Sequence, residues 1–192
     1  MTRHVLTVAV ALALFPVLPA VGQEIGTASG KGTMERKVPG SKSAELEKAY
    51  ETVSFSPRFS FASREGKGAE AATWVVLADK QPPVKDWLAS TDQLNMLRLW
   101  CGKEKASFVA MSLDAKMAPN YYFLCPGDGR VTSEGFNVAN GLESIVMKFQ
   151  ARDAKRLKGT LRTGQGNCSK SDGPQVYCKP TGDFAFDAPI IR

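Results

Sequence analysis

The feature that most constrains this chain is a succession of short apolar or alternating segments, each cut off by turn-forming residues. Arg58–Ser63 (RFSFAS) alternates phenylalanine with polar partners, a period of two. Thr73–Ala78 (TWVVLA) is a continuous β-branched and aromatic run, and Asp79–Pro83 (DKQPP) ends it, as suits a strand buried on both faces. Ser107–Leu113, Tyr121–Cys125, Arg130–Val138, Ser144–Ala151, Leu157–Thr163, Gln175–Cys178 and Asp183–Phe186 continue the pattern. Pro126-Gly127-Asp128-Gly129 and Asn140-Gly141 supply turn signals between them. A spacing of about 8–12 residues is that of sandwiches and barrels, and no fixed-period repeat suggests a propeller or solenoid. The expected fold is therefore mainly β: a single-domain antiparallel β-sandwich, stapled by disulfides and interrupted by a short helical insertion. That insertion falls on Val84–Trp100, where Trp87, Leu88, Thr91, Leu94, Leu97 and Leu99 recur at a roughly helical period. Ser90-Thr91-Asp92 offers an internal cap, so two short helices fit, and Gly102 stands where a C-cap would.

The N-terminus reads differently. Arg3 and His4 precede the apolar run Val5–Phe15, and Ala20-Val21-Gly22 places small residues before Gln23. This is the pattern of a signal peptide over residues 1–22, too short for a comfortable membrane-spanning helix, which needs about 20 apolar residues. Residues 23–32 (QEIGTASGKG) are polar and glycine-bearing and suggest a flexible leader, with the sandwich domain over residues 33–192. Within that domain Ser43–Ala49 (SAELEKA) contains good helix formers, while Tyr50, Thr52 and Val53 favour a strand.

Cleavage before Gln23 removes His4, the one histidine of the chain. Imidazole is the usual general base near neutral pH and a common metal ligand. Its loss excludes Ser-His-Asp and Cys-His nucleophiles and His-containing zinc sites from residues 23–192. Carboxylate pairs, Ser-Lys pairs and oxygen-ligated metals remain possible in principle. The four cysteines of an exported chain read as disulfides. Three pairings exist; Cys101–Cys125 with Cys168–Cys178 is favoured, because the second pair would close the short polar loop Ser169–Tyr177. No CxxC spacing points to metal, and no cofactor is expected.

Lys148, Arg152, Lys155, Arg156, Lys158 and Arg162 crowd together, opposed within that stretch only by Asp153. In a strand Arg156, Lys158 and Arg162 share a face. This ridge is the candidate contact for an anionic ligand, with Lys148, Arg152, Arg156, Lys158 and Arg162 as its residues. The plainer reading is a charged edge that prevents strand-to-strand aggregation. No aromatic is interleaved among residues 151–162, which disfavours nucleic acid. Tyr121 and Tyr122 point to opposite faces of a strand; Tyr122 is taken as the outward, ligand-facing one. The acids Asp79, Asp86, Asp92, Asp114, Asp128, Glu134, Asp183 and Asp187 form no local pair, and several suit turns and helix starts.

VVLADKQPP (Val75–Pro83), RLKGTLRTG (Arg156–Gly164) and GDFAFDAPI (Gly182–Ile190) resemble segments of uncharacterised bacterial exported, mainly β proteins. The resemblance implies a compact β domain and brings no catalytic residues. Together these readings lead to an expectation: an exported, periplasmic or secreted, non-catalytic binding or interaction module of the bacterial cell envelope. Its partner would be an envelope protein or an anionic ligand. The competing expectations are a carboxylate-dependent hydrolase of glycans, which needs two facing carboxylates, and an anion binder acting through residues 148–162.

Overall fold

A computed structural model describes residues 24–38, 50–130, 132–135, 145–163 and 181–191. Besides a 3-10 turn at Gly68–Glu70, ten strands and two α-helices make up the described chain: β1 (Gly26–Lys37), β2 (Tyr50–Phe55), β3 (Phe59–Glu65), β4 (Ala72–Ala78), α1 (Val84–Ala89), α2 (Gln93–Glu104), β5 (Ser107–Leu113), β6 (Pro119–Pro126), β7 (Thr132–Gly135), β8 (Ile145–Arg152), β9 (Arg156–Thr163) and β10 (Thr181–Ile191). The mainly β expectation and the helical insertion hold. The sandwich does not describe these strands, which form one ten-stranded sheet in the order β7-β6-β5-β4-β3-β1-β10-β9-β8, with β2 also on β1.

The physical reason is β1. One of its edges pairs with β10 through Thr27–Thr33. The other pairs with β3 at Gly26 and Thr27 and with β2 from Gly32 to Lys37. β1 thus bridges the β3 and β10 arms of the sheet. Beyond its start, β3 and β10 meet directly in the one parallel pairing among the described strands, Ala62 with Ile190 and Ser63 with Ile191. The expected leader over residues 23–32 is therefore corrected. Its glycines serve close approach rather than mobility: a Cβ on Gly32 would lie 2.6 Å from the Phe184 ring, and one on Gly26 1.8 Å from the Asp187 carbonyl oxygen.

Strand periodicity divides the core in two. Ala28, Phe55, Ala62, Val75, Leu77, Val109, Met111, Tyr122, Leu124, Leu157, Leu161, Phe184 and Phe186 pack on one face of the sheet. The sheet curls around them into a half-barrel. Phe61, Trp74, Val76, Ala78, Phe108, Ala110 and Phe123 point the other way, against Trp87, Leu97 and Trp100 of the helices. Strands β3 to β6 are buried on both faces, which is why Thr73–Ala78 reads as an unbroken apolar run.

The helices begin and end for local reasons. Asp92 caps α2, its side chain accepting the Asn95 N–H at 2.9 Å. The internal cap at Ser90–Asp92 does split the insertion in two. Gly102 lies inside α2, however, and the left-handed residue that closes the helix is Lys105, with φ 48°. The break shifts the helical phase, so Leu88 and Leu99 are exposed while Trp87, Leu97, Trp100 and Cys101 are buried. The buried indoles keep their polar ends satisfied: Trp87 Nε1 donates to Ser63 Oγ, and Trp74 Nε1 to Glu65 Oε2, each at 2.8 Å. The favoured Cys101–Cys125 disulfide is present and fully buried, tying α2 to β6. The proposed Cys168–Cys178 pair, the signal peptide, the Ser43–Ala49 helix and the Gln175–Cys178 strand lie outside the described residues.

Candidate functional site

Along β9, buried and outward residues alternate. Leu157, Gly159, Leu161 and Thr163 are buried; Lys158 and Arg162 are exposed and Arg156 is half-buried. The expected shared face of Arg156, Lys158 and Arg162 is therefore real. The register with β10 sets Lys158 opposite Asp187 and Arg162 opposite Asp183. Arg162 Nε donates to Asp183 Oδ1 at 2.6 Å. Arg156 is bound by two carboxylates, Nη1 donating to Asp187 Oδ1 at 3.0 Å and Nη2 to Glu24 Oε1. Lys158 Nζ lies 3.8 Å from Asp187 Oδ2. The hydrogen bond to Glu24, followed by the field of Asp187, raises the Arg156 pKa above its ordinary value. Three of the ridge's cations, Arg156, Lys158 and Arg162, are thus paired with acids brought from elsewhere in the chain.

Register extends this face across four strands. Lys148 of β8 lies opposite Thr160, which lies opposite Ala185, which lies opposite Ser29 of β1. Val146, Arg162, Asp183 and Lys31 form the adjacent row. The small row is the floor of an open trough of about 540 Å³, bounded by Lys148, Arg162 and Asp183. Val146, Lys148, Arg162, Asp183, Ala185, Ser29 and Lys31 are all exposed. Lys148 and Lys31 make no ion pair among the described residues.

Two expected contact residues are elsewhere. Arg152 follows a register shift between Phe149 and Ala151 and lies opposite Leu157, so it shares the phase of the inner face. It lines a cleft at one end of the half-barrel. Tyr122 is 1% exposed and packs in the inner core, so it faces no ligand from outside; Tyr121, 46% exposed, is the outward tyrosine. Tyr122 shares the phase of Leu124, and the inner core claims both.

Several acids hold structural positions. Asp79 Oδ1 accepts the Ser107 N–H at 2.8 Å, Asp92 caps α2, and Asp128 Oδ1 accepts the Arg130 N–H at 2.9 Å. Asp114 closes its own turn by accepting the N–H groups of Lys116 and Ala118, each at 2.8 Å. Cys101, Cys125 and Asp128 bring three ligand-type atoms within 4.8 Å of one another, but the two sulfurs are bonded to each other. Among the described residues no helix is long and apolar enough to cross a membrane. Comparison with protein-family models, curated proteins and solved structures gives no match.

Proposed function

We propose that the protein is an exported, non-catalytic binding module of the bacterial cell envelope, acting in the periplasm or outside the cell. The observation that carries this reading is the outer face of β1, β10, β9 and β8. The helices cover the outer side of β3 to β6, whereas Ser29, Ala185, Lys148 and Arg162 stand exposed. A flat floor of small side chains between charged walls suits recognition of a partner surface or an extended polar ligand. Its cation–anion rows favour specificity more than raw affinity, because exposed ion pairs contribute only about 0–1 kcal/mol each. A buried disulfide and a histidine-free chain beyond residue 22 accord with a stable scaffold in an oxidising compartment.

The hydrolase reading is less well supported, since Asp79, Asp92, Asp114 and Asp128 serve turns, caps and strand ends, and Asp183 and Asp187 pair with arginine. The test is Ala185→Arg, which raises a long side chain from the trough floor without touching the core. Retention of an envelope component on the immobilised protein should fall at least tenfold while the amide spectrum stays native. Unchanged retention removes the outer face from the function.

A further inference from the structure

Three turns bound one end of the half-barrel: the connection from β3 to β4 around Gly66 and Gly68, the Asp114–Met117 turn between β5 and β6, and Arg152 with Asp153 at the end of β8. They enclose an open cleft of about 550 Å³. Small-molecule sites span about 300–1,000 Å³ and favour the mouths of barrels. The cleft has small or apolar lining from Ala71, Ala72, Ala115 and Met117, and Met117 also packs on the inner core.

Arg64, Lys116 and Arg152 line this mouth, and all three are exposed. None forms an ion pair among the described residues. Arg64 is held in place across the opening, its Nη2 donating to the Asp153 carbonyl oxygen at 3.3 Å. The carboxylates here are engaged elsewhere. Asp114 accepts from Lys116 and Ala118 N–H, Asp153 Oδ1 accepts the N–H groups of Lys155 at 2.6 Å and Arg156 at 2.8 Å, and Glu65 Oε2 accepts from the Trp74 indole. Their charge still offsets the long-range pull of the three cations. Such a mouth does not draw polyanions by net charge. It offers guanidinium forks, which recognise a single carboxylate or phosphate group by hydrogen-bond geometry.

We propose that the mouth binds one carboxylate- or phosphate-bearing group of a small molecule, with Arg64 and Arg152 as its hydrogen-bonding pair and Lys116 as a supporting charge. This site is separate from the outer face, since Arg64 shares the inner phase of Ala62 and Arg152 that of Leu157.

The test follows arginine Nε–H signals of the purified protein by NMR on addition of inorganic phosphate, of acetate, and of phosphatidylglycerol vesicles against phosphatidylcholine vesicles. Free phosphate or acetate should shift Arg64 and Arg152 together with one affinity. A response confined to phosphatidylglycerol supports the site and identifies its source as a lipid headgroup. Arg64→Gln with Arg152→Gln should weaken binding at least tenfold, with Arg64→Lys intermediate because it keeps charge and loses the fork. Lys148→Gln with Arg162→Gln should leave binding unchanged, even if it abolishes retention by the outer face. No shift with any probe, or binding that survives the double arginine substitution, overturns the proposal.

Discussion

Asp153 is exposed, yet its carboxylate closes the turn from β8 to β9 by accepting the backbone N–H groups of Lys155 and Arg156. Those hydrogen bonds hold its pKa below the ordinary aspartate value of 3.8. A lowered folded value means that the turn gains from the charged form above the unfolded pKa, and loses that gain as pH falls through the folded value. Carboxyl NMR should place the Asp153 midpoint below 3.8, and Asp153→Asn should abolish the acid-dependent change in the Lys155 and Arg156 amide signals. At Gly26 the neighbouring backbone leaves no room for a side chain. Gly26→Ala would drive its Cβ into the Asp187 carbonyl and should cost on the order of 3 kcal/mol in urea unfolding, by forcing β1 away from β10. At this scale the sequence was only partly readable. The common face of Arg156, Lys158 and Arg162 followed from strand period, but the acids that neutralise it come from β10 and from Glu24. The choice between Tyr121 and Tyr122 turned on which face meets the core, and an isolated strand carries no such label.

Among elements, helix α2 is held by a contact at its start and another near its end. Asp92 begins it, and the disulfide from Cys101 to Cys125 anchors it to β6. Cys101→Ser with Cys125→Ser should lower unfolding free energy by about 2–4 kcal/mol, read from the denaturant midpoint, since the bridge closes a loop with a separation of 24 residues. Asp92→Ala should cost about 1 kcal/mol and loosen the first turn of α2, seen as faster exchange of the Asn95 amide. The break between the helices and the double burial of β4 were legible, because caps and unbroken apolar runs are local signals. β1 was not. Gly26, Gly30 and Gly32 give it the composition of a linker, and their reason lies in a partner strand far along the chain, where the Phe184 ring and the Asp187 and Asp183 carbonyls crowd them.

For the whole molecule, two cores share the same strands. Val75 and Leu77 enter one while Val76 enters the other, so neither face can loosen without disturbing its neighbour. Trp74, Trp87 and Trp100 all belong to the helix-side core. Tryptophan fluorescence and far-ultraviolet circular dichroism should therefore give coincident unfolding curves; an earlier fluorescence change would show that the helical layer detaches alone. The sheet's continuity escaped the sequence because it depends on pairings between distant segments. β1 carries a temporal consequence. It lies between β3 and β10, and its long partnership is with β10, the described strand farthest along the chain. An emerging chain can assemble β3 to β6 early, through neighbouring hairpins. β1 must therefore wait for residues 181–191 before its long pairing can form, so the closure of this sheet is a late, long-range event for a growing chain.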